Sequence, residues 1–185
     1  MCIRDSYDGG FFEQNALRMD YCPVKEKTWI RFVRVSRDYL EKRYQAFKRE
    51  VNRYLVNGNK TVIPIVVVKG RSFKKVFHNV TVWPHRLRSD MFNRNAVTGI
   101  DVILSLADQR LLNVTIEWFE NIGSVVVRGY FVTSINGDDM YGRCGFLYEL
   151  GEPEFRGRKG NMVHLTSDIR VILCPYYVEW RWRCL

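Results

Sequence analysis

From Gly58 onward the chain is a succession of short β-branched and aromatic runs broken by turn residues, and no helical pattern intervenes. The runs cover residues 60–68, 76–83, 100–108, 111–119, 124–135, 144–150, 162–173 and 176–183, and most alternate apolar with polar positions. Pro64 places the first run at a sheet edge or on a bulge, because proline has no amide to give a ladder. Residues 135–139 (INGDD) and 155–160 (FRGRKG) are turn-rich connections. About eight short strands without intervening helices predict a mainly β fold, an antiparallel jelly-roll-like β-sandwich.

One N-terminal amphipathic helix precedes the strands. Over residues 38–57, Leu40, Tyr44, Phe47, Val51, Tyr54 and Leu55 recur at helical spacing, Asp38 and Glu41 suit the start, and Gly58 suits the stop. Lys42, Arg49 and Arg53 fall together opposite the apolar stripe, where they form a solvent face able to meet phosphate. Residues 1–24 read as an N-terminal segment, and 25–185 as one domain with its sandwich over 60–183. The opening Met-Cys-Ile-Arg-Asp-Ser resembles an adapter-derived string found at the head of translated assemblies, so it is set aside from fold reasoning.

Charge narrows the partners. The 185 residues carry a net charge of +9, and it is unevenly spread. Residues 25–94 hold 18 Lys/Arg against 5 Asp/Glu, whereas residues 95–155 hold 3 against 9. Such segregation favours a basic surface for a polyanion, either nucleic acid or an acidic membrane. The tail alternates rings with cations: Tyr177, Trp180, Arg181, Trp182 and Arg183 suit base stacking beside phosphate. Equally, Tyr176, Val178, Trp180 and Trp182 share one parity and suit the inward row of a terminal strand, the reading slightly preferred. Five cysteines without C-x-x-C spacing fit reduced thiols better than a disulfide framework or a zinc site. No apolar run is long enough to span a bilayer as a helix.

Enzyme chemistry has little to stand on. The histidines His78, His85 and His164 lack metal-ligand spacing, and His78 shares the apolar parity of its strand, so a core imidazole is expected there. No nucleophile elbow, P-loop or dinucleotide fingerprint occurs. The reading is therefore of a non-enzyme, with no catalytic residue, no metal and no cofactor. The basic loop Arg156, Arg158 and Lys159 joins the helix cations as a candidate phosphate contact.

Residues 98–110 (TGIDVILSLADQR) pose the one sharp puzzle. Read as a strand, Ile100, Val102, Leu104 and Leu106 share a face, and Asp108 continues their parity. An ionised carboxylate aimed at a core costs several kcal/mol unless it accepts hydrogen bonds. Asp108 is thus expected to be a structural pin at a strand end, either capping the turn after Leu106 or accepting bonds from loop amides or pairing with Arg110.

Leu106-Ala107-Asp108, followed by Gly160, resembles the L-x-D…G motif of the thirty-K superfamily of plant-virus movement proteins, in which the aspartate closes a β-strand. That resemblance spans roughly residues 60–175 and carries Leu106, Asp108 and Gly160. It implies a jelly-roll-like core and a protein that binds single-stranded nucleic acid or a viral nucleocapsid without sequence readout. It further implies contact with host membrane or plasmodesmal proteins, possible self-association, and action in the host cytoplasm and at plasmodesmata rather than in secretion. Two other classes compete. A viral matrix protein bridging nucleocapsid and membrane accounts for size and charge. A PilZ-like cyclic-dinucleotide sensor accounts for Arg71, Lys75 and the stretch from Asn93 to Gly99, although the spacing departs from that pattern.

Overall fold

The computed structural model describes residues 3–7, 10–11, 30–34, 36–90, 95–123, 125–151, 166–172 and 175–184. Strands β1 (Ile3–Tyr7), β2 (Gly10–Phe11) and β3 (Ile30–Arg34) form a small antiparallel sheet ordered β2-β1-β3. Part of the opening string set aside above is therefore paired structure. Helix α1 (Arg37–Val56) follows, then β4 (Thr61–Lys69), β5 (Lys74–Val82) and helix α2 (Gly99–Asp108). Next come β6 (Val114–Ile122), β7 (Val125–Ile135), β8 (Asp138–Asp139), β9 (Cys144–Gly151) and β10 (Tyr177–Cys184).

The main sheet runs β5-β4-β10-β9, and a second runs β6-β7-β8. The fold is mainly β, as its sequence predicts. It is not wholly antiparallel, because β10 lies parallel to β4 from Tyr177–Ile65 to Arg181–Lys69. A parallel neighbour needs a long crossover, and β5 through β9 supply it. One core joins both sheets to α2. Ile63, Val66, Val68, Val178 and Trp180 of the main sheet meet Ile100, Ile103 and Leu106 of the helix and Val132 and Ile135 of β7. Trp180 is only 1% exposed, which settles the terminal row in favour of packing at that position.

The largest correction concerns residues 100–108, which form a helix and not a strand. A near-continuous apolar run satisfies a buried helix as well as a buried strand, and parity alone cannot separate them. What decides is capping. The Asp101 carboxylate accepts from both the amide and the hydroxyl of Thr98, at 2.7 Å each. Residues 166–172, the described part of the expected 162–173 strand, form a turn with a single bridge from Val171 to Thr98. Their role is to complete the helix start: Gly99 and Ile100 donate their amides to Arg170 and Ser167 carbonyls, both at 2.9 Å.

Pro64 lies in an interior strand, where it must be accommodated. It falls between the pairs Ile63–Val80 and Ile65–His78, opposite Asn79, whose φ is +51°. The inward parity switches there, from Thr61 and Ile63 to Val66 and Val68. The register is the same on both sides of Pro64, so neither the edge nor the bulge expected for it is found, and the strand takes the proline as a missing rung in the ladder. The same switch turns His78 outward, so it is exposed rather than in the core.

Helix α1 closes on a Schellman motif: Gly58 (φ +66°) and Asn59 donate to the Leu55 and Tyr54 carbonyls. Tyr54 anchors it, fully buried, with its hydroxyl donating to Ile172 O at 2.6 Å. Cys144 and Cys184, direct partners across β9 and β10, are joined by a disulfide where free thiols were expected.

A buried ionic hub ties the segment after β5 to β7 and to residues 166–172. Arg88 donates to both oxygens of Asp90 at 2.8 Å, to Asp168 at 2.9 Å and to the Arg128 carbonyl at 2.7 Å, with its guanidinium 5.2 Å from the Trp118 ring centre. Asp168 also accepts the Tyr130 amide at 2.9 Å.

Candidate functional site

Asp108 ends α2, and its surroundings show what a carboxylate there accomplishes. Asp101, Ser105 and Asp108 stand four and three residues apart, so they share one helix face. That face receives residues 83–85, the chain just beyond β5. Ser105 Oγ accepts the Trp83 amide at 3.2 Å, and Asp101 Oδ1 accepts the His85 amide at 2.8 Å. Above them, Asp101 Oδ1 lies 3.0 Å from His85 Nδ1, while Asp108 Oδ2 lies 2.9 Å from His85 Nε2 and 3.2 Å from Trp83 Nε1.

Two carboxylates, one on each ring nitrogen, require an N–H on both, which is the imidazolium. Burial pulls the His85 pKa down, but the hydrogen bonds from Asp101 and Asp108 outweigh it and hold the pKa above its ordinary 6.5. Among the described residues the ring bonds only these two acids. By gripping His85 at both nitrogens, the two carboxylates latch the chain after β5 onto α2. Asp108 is a pin, as expected, but its partners are Trp83 and His85 and it closes a helix. Arg110 is exposed and lies one residue past the helix cap, at φ +59°, where its amide donates to Ala107 O. Leu106 is fully buried in the core. Gly160 lies outside the described residues.

Of the six cations expected to contact phosphate, the structure describes the side chains of Arg49 and Arg53. Arg49 is exposed. Arg53 turns back onto Thr61 Oγ1 and the Tyr54 ring. The Lys42 side chain lies outside the described residues, as do Arg156, Arg158 and Lys159.

A different set converges at one end of the main sheet. The β4–β5 turn, the β8–β9 turn and the end of β10 meet there. Gly70 permits the approach: a Cβ at that position would lie 2.2 Å from Asp138 Oδ2. Asp138 accepts the Ser72 amide at 2.8 Å. Burial pushes the Asp138 carboxyl up, but the Ser72 and Arg71 donors and the Arg71 charge prevail and hold it below its ordinary value.

Over this joint the rings of Tyr141 and Trp182 lie 5.5 Å apart, tilted by 43°. The Arg71 guanidinium stands 6.0 Å from one centre and 5.9 Å from the other. Tyr141 is 53% exposed, and Trp182 is half-buried with its indole N–H on Asp139 O. Exposed Arg183 follows Trp182 on the opposite side of β10, exposed Arg143 lies in the turn after Tyr141, and on β5 exposed Lys74 precedes Lys75, whose ammonium donates to Leu111 O at 3.1 Å. Sequence reasoning offered Tyr177, Trp180 and Trp182 for stacking with Arg181 and Arg183 for phosphate, and missed Tyr141. Its turn, residues 140–144 (MYGRC), has no alternation to read.

The outer face of the main sheet is, by contrast, internally paired. Lys69 bonds Glu179 at 2.9 Å, Arg181 pairs with Glu149, and the Glu149 hydrogen bond with burial pushes the Tyr177 phenol up to about 12. Compared with known protein families, characterised proteins and solved structures, the chain matches none.

Proposed function

We propose that this chain binds single-stranded nucleic acid without sequence readout and performs no reaction. The observation that carries the reading is the exposed Tyr141–Trp182 pair held under Arg71 at the basic end of the main sheet. A base stacking on such rings gains about 1–3 kcal/mol, and every base has a face to offer. Arg71, Arg143, Arg183, Lys74 and Lys75 supply phosphate neutralisation, which makes the affinity salt-dependent.

The resemblance of Leu106, Asp108 and Gly160 to the thirty-K pattern extends this reading to the passage of a viral genome between plant cells, with host-membrane and plasmodesmal contacts and self-association as its partners. The helical setting of Leu106 and Asp108 differs from the strand end of that pattern, so the wider role rests on sequence and the binding on geometry. The fold enters the proposal as a loosened jelly-roll-like sandwich, two sheets sharing a core with α2.

Two experiments test it. Fluorescence anisotropy should give saturable binding of labelled oligouridylate and oligothymidylate with similar affinity, and weaker binding of duplex. Supplying the protein in trans to a movement-defective plant virus should restore spread. Preference for duplex, or for an acidic vesicle over oligonucleotide, would favour a matrix-type role instead.

A further inference from the structure

The Cys144–Cys184 disulfide fastens the two chain segments that carry the stacking rings. Tyr141 and Cys144 exchange both backbone hydrogen bonds across a tight turn, at 3.0 and 2.8 Å, with Gly142 at φ +57°. Trp182 stands two residues before Cys184 on β10. The β4 partner of β10 ends at the pair Arg181–Lys69, whereas pairing with β9 continues through Trp182–Phe146 and Arg183–Gly145 to Cys184–Cys144. The last three residues of β10 are therefore held by one neighbour, and the disulfide closes that ladder at its outer end. Cys184 is exposed and Cys144 half-buried, so a reductant can reach the bond.

We propose that this disulfide is a redox switch for the stacking site; the inference rests on the nucleic-acid reading above. A dithiol reductant gives two electrons and two protons to the cystine. Its thiolate attacks one sulfur, the mixed disulfide is displaced by its second thiol, and two cysteine thiols and a cyclic disulfide result. With the crosslink gone, the end of β10 frays, Trp182 leaves Tyr141, and Arg71 loses the paired rings. Reoxidation by a disulfide such as oxidised glutathione restores the platform. The other cysteines do not enter, because neither Cys144 nor Cys184 needs a third thiol.

The test is oligouridylate anisotropy on oxidised and dithiothreitol-reduced protein, with amide hydrogen exchange over residues 141–146 and 182–184. Reduction is expected to weaken binding about tenfold, roughly the loss of one base stack. It should speed exchange in both segments, and oxidised glutathione should reverse both effects. A C144S/C184S double variant should match the reduced protein and ignore dithiothreitol. Equal affinity in the two redox states, with exchange unchanged, overturns the switch. If neither state binds oligonucleotide, the nucleic-acid reading falls and with it the switch's function, while faster exchange on reduction would still identify the redox-controlled joint.

Discussion

His85 Nε2 and Asp108 Oδ2 meet at 2.9 Å, joining the chain after β5 to the last turn of α2. Asp101 grips the opposite nitrogen and is buried, whereas half of the Asp108 side chain is open to solvent. The two acids should therefore differ in worth. Asp101→Ala strands the Thr98 amide and hydroxyl and the His85 amide in a dry site, and is expected to cost about 2–4 kcal/mol. Asp108→Ala removes exposed contacts and should cost about 1 kcal/mol or less. Urea unfolding of the two variants measures the difference, and equal losses would dismiss this division.

The latch also sets a pH dependence. Because the His85 pKa is raised in the folded protein, its contribution is fully present below pH 6.5 and fades as pH rises through the folded value. Above that, a neutral ring can donate to only one of the two carboxylates. Wild type should lose stability relative to His85→Asn as pH climbs from about 6 to 9. Parallel curves for the two proteins would show that the imidazole does not carry the effect.

Arg110 occupies a left-handed position that favours glycine. Arg110→Gly relieves that strain and should raise stability by roughly 0.5–1 kcal/mol, read as an increase in Tm. It should leave oligonucleotide affinity unchanged, since Arg110 belongs to the end of α2 whereas the rings belong to the β8–β9 turn and β10. A marked loss of affinity would place the binding surface on the α2 side.

Replacing Arg88 tests the hub. Arg88→Met leaves Asp168, whose side chain is fully buried, without its cation, and is expected to destabilise by about 3–5 kcal/mol. The companion Asp168→Asn in that background should recover part of the loss. A stable Arg88→Met protein would show that the hub does not hold these segments together.

The strand pattern after Gly58 was legible because β4, β9 and β10 bury alternate side chains over several residues. Helix α1 was legible from its spacing and from Gly58. The α2 segment was misread because Ile100, Val102, Leu104 and Leu106 satisfy period two by accident of a helix buried on most sides. The Thr98–Asp101 capping pair and the Asp101–Ser105–Asp108 spacing were the signals that would have corrected it. The His78 parity failed for a local reason, since the buried side of the β4–β5 pair switches at Pro64 and Asn79 without any change of register. Cys144 and Cys184 are forty residues apart, and only the β9–β10 register brings them together. The ring pair was half legible: Trp182 belongs to a strand with a pattern, and Tyr141 belongs to a turn without one.

Single-strand binding through that ring pair is tested most directly by a salt series of oligouridylate titrations on wild type, Tyr141→Ala/Trp182→Ala and Arg183→Gln. Removing the rings should weaken binding at every salt concentration by roughly tenfold or more while keeping the salt slope, and removing the cation should make the slope shallower by about one. Ring-deleted protein that remains folded and binds like wild type would contradict the account.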